Sequence, residues 1–245
     1  MYNEIIFRPL YNILVGIMDF IPGIDVGIAV IIFTVIIRLI LFPLSKSSLL
    51  TQVRMKQVEP EAAKIRAQYA NDKQVQAAKI MELYKTKKIK PFSGVLLLII
   101  QLPILLALIS IFYKIIPTID PTLLYSFIHV PIAKPSLLGL DLTSKSIVLS
   151  LLTAVAQFCQ LHFSLAARQQ AVSPAPAGKP GDMSQISASM NKQMKFLIPI
   201  LAFVSTYWII PAKFPQAASI IAIYWIVSAA FTLAQELYIR KRHLS

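Results

Sequence analysis

The chain has 245 residues, 56% of them hydrophobic and only 14% charged, and carries a formal net charge of +13 at pH 7. Soluble domains are about a quarter charged, so this balance excludes an ordinary soluble globular domain and points to lipid as the solvent. The lone cysteine, Cys159, excludes a disulfide framework. No nucleophile triad, acid–base pair or glycine-rich phosphate loop is visible, so neither an enzyme nor a cofactor or metal site is expected.

In residues 1–23, Ile6, Leu10, Ile13, Leu14, Ile17 and Ile21 recur at helical spacing. Asn3, Glu4, Arg8, Asn12 and Asp19 make the segment amphipathic, which predicts a helix lying on the membrane surface. A first span is expected over 24–44, interrupted only by Thr34, Arg38 and Pro43. No short apolar core ends in a small-residue cleavage site, so this span is expected to act as an uncleaved signal.

Residues 45–91 are polar, basic and helix-forming. Pro60 marks a helix restart and Asn71-Asp72 a turn, predicting an antiparallel helical hairpin in water. Ile65, Tyr69, Val75, Ile80, Leu83 and Tyr84 give it partial apolar faces.

A second span follows over 92–113, containing Gln101, Pro103 and Ser110. Residues 114–145, with four prolines, read as an extracytoplasmic loop. Span 3 covers 146–168. Pro174, Pro176, Gly178, Pro180 and Gly181 mark a flexible cytoplasmic loop over 169–194. Span 4 covers 195–211, short for the ~20 residues a span needs. Span 5 covers 215–239, and 240–245 form a short basic tail. The predicted fold is therefore an all-α integral membrane protein with five transmembrane helices, a cytoplasmic hairpin and an N-terminal interfacial helix.

Lys and Arg orient it. With the N-terminus outside and the C-terminus in the cytoplasm, eighteen of the 24 basic residues fall inside and five outside. Arg38 is the one left within a span.

Polar residues in the spans fall on stripes. In span 3, Ser146, Ser150, Thr153, Gln157, Gln160 and Ser164 share one helical face. Helix packing also uses small polar residues, but two glutamines need many hydrogen-bond partners. Arg38 lies about 6 residues, roughly 9 Å, from the inner end of span 1, on a face shared with Thr34. An intramembrane charge usually faces a cavity, although snorkelling to the interface also fits. Span 5 aligns Ser228, Thr232 and Gln235, with Trp225 one turn earlier. These stripes predict a hydrophilic groove open to the cytoplasm and closed toward the outside.

At these residues the sequence resembles the YidC family of membrane protein insertases, over nearly the whole chain. IIRLILFPLS resembles the family's first groove helix, and Arg38 falls on the groove arginine. The segment from Gln57 to Gly94 resembles the cytoplasmic hairpin, and QLPILLAL the second span's Gln-x-Pro signature. LGLDL and IYWIVSAAFTLAQ also match, with Gln157 and Trp225 on groove-lining positions. Val95-Leu96-Leu97 departs from the family's Cys-Leu-Pro, and Ala218-Ser219 from its glycine-leucine.

The resemblance implies an insertase or chaperone that moves nascent hydrophobic segments into the bilayer of the cell (plasma or inner) membrane. The expected groove residues are Arg38, Thr34, Gln101, Thr153, Gln157, Gln160, Trp225, Ser228 and Thr232. Expected partners are nascent membrane proteins and lipid, with the Sec translocon and the ribosome beyond them, and no sequence-specific nucleic acid. The rival reading is a small-solute channel or transporter, whose polar stripe would continue through the outer half.

Overall fold

The computed structural model describes residues 3–90, 93–115, 118–170 and 183–243. The chain is helical nearly throughout. A π-helical turn, Asn3–Phe7, leads into α1 (Arg8–Phe20), where Pro9 presets the first turn. Tyr11, Leu14 and Val15 are fully buried against the bundle. Asn12, expected on a wet face, is buried instead. Its amide donates to the Arg8 and Leu123 carbonyls (2.8 and 2.9 Å) and accepts from the Tyr125 N–H at 2.7 Å. The loop after the second long helix folds over α1 and converts its polar side into a satisfied internal seam.

The span expected over 24–44 is two helices rather than one. α2 (Val26–Ile40) breaks at Leu41 and α3 (Phe42–Gln57) continues at a bend of 59°. Pro43 explains the break, because it has no N–H for the ladder and its ring displaces the preceding turn. Next come α4 (Glu59–Gln68) and α5 (Lys73–Thr86). The Asp72 carboxylate caps α5 through the N–H groups of Gln74 and Val75. Lys87, beyond the end of α5, pairs at 2.9 Å with Glu61 at the start of α4, so the two helices run antiparallel. Exposed pairs of this kind are worth about 0–1 kcal/mol. The small cluster of Val58, Tyr84 and Ile89 does more to hold the hairpin.

α6 (Ser93–Ile115) buries Leu108, Ile111 and Phe112 and exposes Ile99, Leu102 and Leu106. Similar bare apolar surfaces run along α7 (Ile147–Gln170) and α8 (Met183–Val204). Such patches would be a liability in water and are the expected lipid-facing surface in a bilayer. α8 begins well before the expected start of span 4, since Met183 onward holds no proline until Pro199. The Pro/Gly cluster at 174–181 lies outside the described residues. A π-helical turn (Ser205–Ile209) and α9 (Ile210–Lys213) lead to α10 (Ala218–His243).

Among the described residues, three helical stretches are long and apolar enough to cross a membrane: Ile147–Ser164, Lys195–Lys213 and Ala218–Ile239. The bent α2–α3 pair makes a fourth, while the apolar part of α6, Ile99–Ile115, is shorter. α10 is central. It packs on α2 along one side and α7 along another, and α8 packs on α7. The core joins α1, α2, α6 and α10 through Tyr11, Phe33, Leu108, Phe112 and Ile221.

Between α6 and α7 a minimal hairpin pairs β1 (Ser136–Leu137) with β2 (Leu140–Asp141). Its two-residue turn uses Leu138 at φ 50° and Gly139 at φ 86°. The hairpin sits on the start of α2, where the Asp25 carboxylate accepts from the Ser136 hydroxyl (2.8 Å) and the Leu138 N–H (2.9 Å). Gly27 makes room for it, because a Cβ there would lie 2.7 Å from the Leu137 Cβ.

Candidate functional site

α2 carries Thr34 and Arg38 one turn apart. Thr34 is fully buried and its hydroxyl donates back to the Val30 carbonyl at 2.6 Å. Arg38 is half-buried, one turn before the break at Leu41. Among the described residues its guanidinium has no hydrogen-bond or ion-pair partner. It is a cation in an apolar helix with its five donors uncommitted to the protein.

Gln101 of α6 reaches α10, its amide donating to the Tyr224 hydroxyl at 3.0 Å. Tyr224 is buried, so this bond joins α6 to α10 at the core. Tyr224 is a residue the polar-stripe reasoning missed, because a tyrosine in an apolar run reads as packing. The Tyr-Trp pair at 224–225 was the available signal.

One turn beyond Tyr224, Ser228 is buried with its hydroxyl unpartnered within the described protein. Thr232 follows, half-buried, and donates to the Ser228 carbonyl at 2.8 Å. Gln235 then bridges α10 to the bend, its amide donating to the Ser45 hydroxyl at 2.7 Å and the Phe42 carbonyl at 3.4 Å. Trp225 packs, half-buried, at the margin of the core.

The stripe on α7 approaches α10 from the other side. Thr153 is fully buried and donates to the Leu149 carbonyl (2.8 Å) and, across the interface, the Ala222 carbonyl (3.3 Å). Toward the end of α7, the Ser164 hydroxyl donates to the Glu236 carboxylate. Gln157 and Gln160, between these sealed contacts, remain half-buried. Lys195 of α8 stands nearby, its ammonium 5.5 Å from the centre of the Phe158 ring. Of the nine predicted residues, Thr34 and Thr153 are closed into helix contacts and Gln101 and Thr232 bond to α10. Trp225 packs apolar, whereas Arg38, Gln157, Gln160 and Ser228 keep side-chain polar groups without a hydrogen-bond partner among the described residues.

Two cavities, of about 660 and 530 Å³, lie elsewhere, and none of the nine residues lines either. The first is lined from α1, the middle of α2 and the loop at 125–128, and the second from Thr143–Lys145 before α7, the π-helical turn and α9.

This architecture defines a multi-pass α-helical membrane protein with a polar seam running along its central helix. The model of the family described as 60Kd inner membrane protein matches residues 17–245, and the chain belongs to that family. Among its curated relatives, a protein of Fusobacterium nucleatum subsp. nucleatum is 45% identical over 85 residues, 35% of this chain and 42% of the relative. One of Beijerinckia indica subsp. indica is 36% identical over 112 residues, 46% of this chain and 18% of the relative. One of Hahella chejuensis is 39% identical over 104 residues, 42% of this chain and 18% of the relative. All three are named Membrane protein insertase YidC. The chain spans less than half the length of each of these relatives.

Proposed function

We propose that the protein is a membrane protein insertase that passes hydrophobic segments of nascent chains into the bilayer along the α2–α10–α7 seam. It spans the cell membrane five times, with α6 and the α2–α3 pair each counted as a span, its N-terminus outside and its C-terminus in the cytoplasm. The observation that carries this reading is Arg38: a half-buried guanidinium with no partner among the described residues, beside the bend at Leu41. The name shared by the curated relatives supports it.

The mechanism follows from solvation. A nascent hydrophobic segment with a short polar flank meets a barrier, because each unsatisfied polar group costs several kcal/mol in hydrocarbon. A hydrated seam in the inner half shortens the apolar path. Arg38 attracts an acidic flank more strongly there than in water, since the attraction scales inversely with the local dielectric constant. Gln157, Gln160, Ser228 and Thr232 supply neutral hydrogen-bonding sites along the way. The apolar part of the substrate then moves sideways into lipid, driven by its own hydrophobicity. The basic hairpin α4–α5 receives the incoming chain, with the Sec translocon and the ribosome as further partners.

A small-solute channel needs a polar path through the outer half as well. Phe33, Leu108, Phe112 and Ile221 fill the core there, which favours the insertase.

Insertion of a single-span substrate with a short acidic tail into proteoliposomes tests the reading. Wild type should insert it, Arg38→Ala should lose most insertion, and Arg38→Lys should keep most of it, each at matched folding and reconstitution. Normal insertion by Arg38→Ala would remove Arg38 from the mechanism, and no insertion by wild type would remove the insertase reading.

A further inference from the structure

The larger cavity, about 660 Å³, lies between one face of α1 and the middle of α2, under the loop at 125–128. Its walls include Ile13, Gly16, Ile17 and Phe20 of α1 with Ile32 and Ile36 of α2. The last two stand six and ten residues into α2, so the cavity reaches roughly 9–15 Å along that helix from its first residue. A water held there would need two to four polar partners. The Asn12 amide, the main polar group deep in the wall, has already spent its bonds on the loop.

Gly16 keeps the cavity open. A mid-helix glycine is destabilising relative to alanine, and a Cβ here would make only ordinary contact, 3.5 Å from Ile128 Cδ1. Neither a positive φ nor a close backbone contact requires glycine at this position. What its missing side chain leaves is the space.

Asp19 marks the rim. Its carboxylate accepts from the His129 N–H at 3.1 Å, with the exposed His129 ring nitrogen Nδ1 3.4 Å away. No Lys or Arg among the described residues pairs with it. Phe20 and Phe127, both exposed, flank the opening as interfacial aromatics do.

We propose that this cavity seats one acyl chain of an aminophospholipid, with the lipid's primary ammonium on the Asp19 carboxylate. The apolar walls suit a hydrocarbon tail, and the Asp19 carboxylate, held by His129 but with no Lys or Arg partner among the described residues, offers an acceptor to a cationic headgroup that donates hydrogen bonds. The membrane placement rests on the function proposed above, whose orientation puts the site in the outer leaflet.

Native mass spectrometry of the full chain, released from nanodiscs of equal phosphatidylethanolamine and phosphatidylcholine, tests this. Wild type should retain one phosphatidylethanolamine, preferred roughly tenfold, the effect of one charge-assisted hydrogen bond. Gly16→Leu, which fills the cavity, should lose the retained lipid of both kinds. Asp19→Asn should keep one lipid without the headgroup preference. Retention by Gly16→Leu equal to wild type would overturn the acyl-chain site, and an unchanged preference in Asp19→Asn would overturn the headgroup assignment. If circular dichroism shows that Gly16→Leu does not fold, Ile36→Phe fills the cavity from the opposite wall and is read in the same way. Retention is measured without substrate, so failed insertion with intact retention counts against the insertase reading alone.

Discussion

Ser228→Ala separates a wet seam from a dry one. The Ser228 hydroxyl is buried on α10 between Tyr224 and Thr232 and has no partner among the described residues. In a dry seam that hydroxyl costs about 1–3 kcal/mol, and alanine would recover it. In a seam open to water the hydroxyl is solvated, and alanine gains nothing or loses about 0.5–1.5 kcal/mol. For a chain of this size 1 kcal/mol corresponds to about 2–4 °C in Tm. A dry seam therefore predicts a rise of about 2–12 °C for Ser228→Ala, and a wet seam predicts no change or a fall of a few degrees. Thermal unfolding of both proteins in one detergent, followed by helical circular dichroism, reads the difference. The proposed groove requires the wet outcome. A clear rise in Tm with unchanged cooperativity would refute hydration at Ser228, and with it the cytoplasm-open groove along α10.

Three further outcomes follow from the packing. Gly27→Ala gains roughly 0.5–1 kcal/mol of helix stability but forces a Cβ to 2.7 Å from Leu137 Cβ, and overpacking costs about 1–3 kcal/mol. The sign is thus destabilising, and Leu137→Gly in the same chain, which removes that Cβ, should restore part of the lost Tm. Gln235→Leu removes the bond to Ser45 that ties α10 to α3, costing about 1 kcal/mol and speeding amide exchange in Phe42–Gln57. At Asp120, hydrogen bonds from the Thr122 hydroxyl and N–H hold the carboxyl below its ordinary range. A depressed folded pKa gives stability that is present above the unfolded value and is lost as pH falls through the folded one. Exchange in the 120–124 turn should therefore accelerate only below the ordinary carboxylate range, and Asp120→Asn should abolish that dependence.

The helical membrane class was legible because uncharged runs in this chain have no soluble use. Pro60 and Asn71-Asp72 marked the starts of two helices, and they stand in the first turn of α4 and the turn before α5. Two features were not legible. Pro43 signals a break, but a 59° bend followed by a further sixteen-residue helix depends on α3 packing against α6 and α10. The burial of Asn12 depends on residues 123–125, more than a hundred positions away. Periodicity within one segment cannot carry that information. In the candidate site, the stripes could not tell a sealed hydroxyl from an open one. Thr153 closes on Ala222 of α10 while Gln157, one turn on, stays half-buried.

The division between sealed and open polar groups itself bears on mechanism. Thr34, Thr153 and Asn12 satisfy themselves on backbone carbonyls, so this fold can neutralise internal polarity where polarity serves only packing. Arg38 is treated differently. An intramembrane arginine costs at least ~2.5 kcal/mol, and a single carboxylate on α10 or α6 facing it would lower that cost. Glu236, the buried acid of α10, is instead engaged by Ser164 on the α7 side. A built-in partner would also compete with any acidic segment arriving from outside the fold. On the proposed function, a guanidinium that binds and releases a passing carboxylate has to be left unpaired between events.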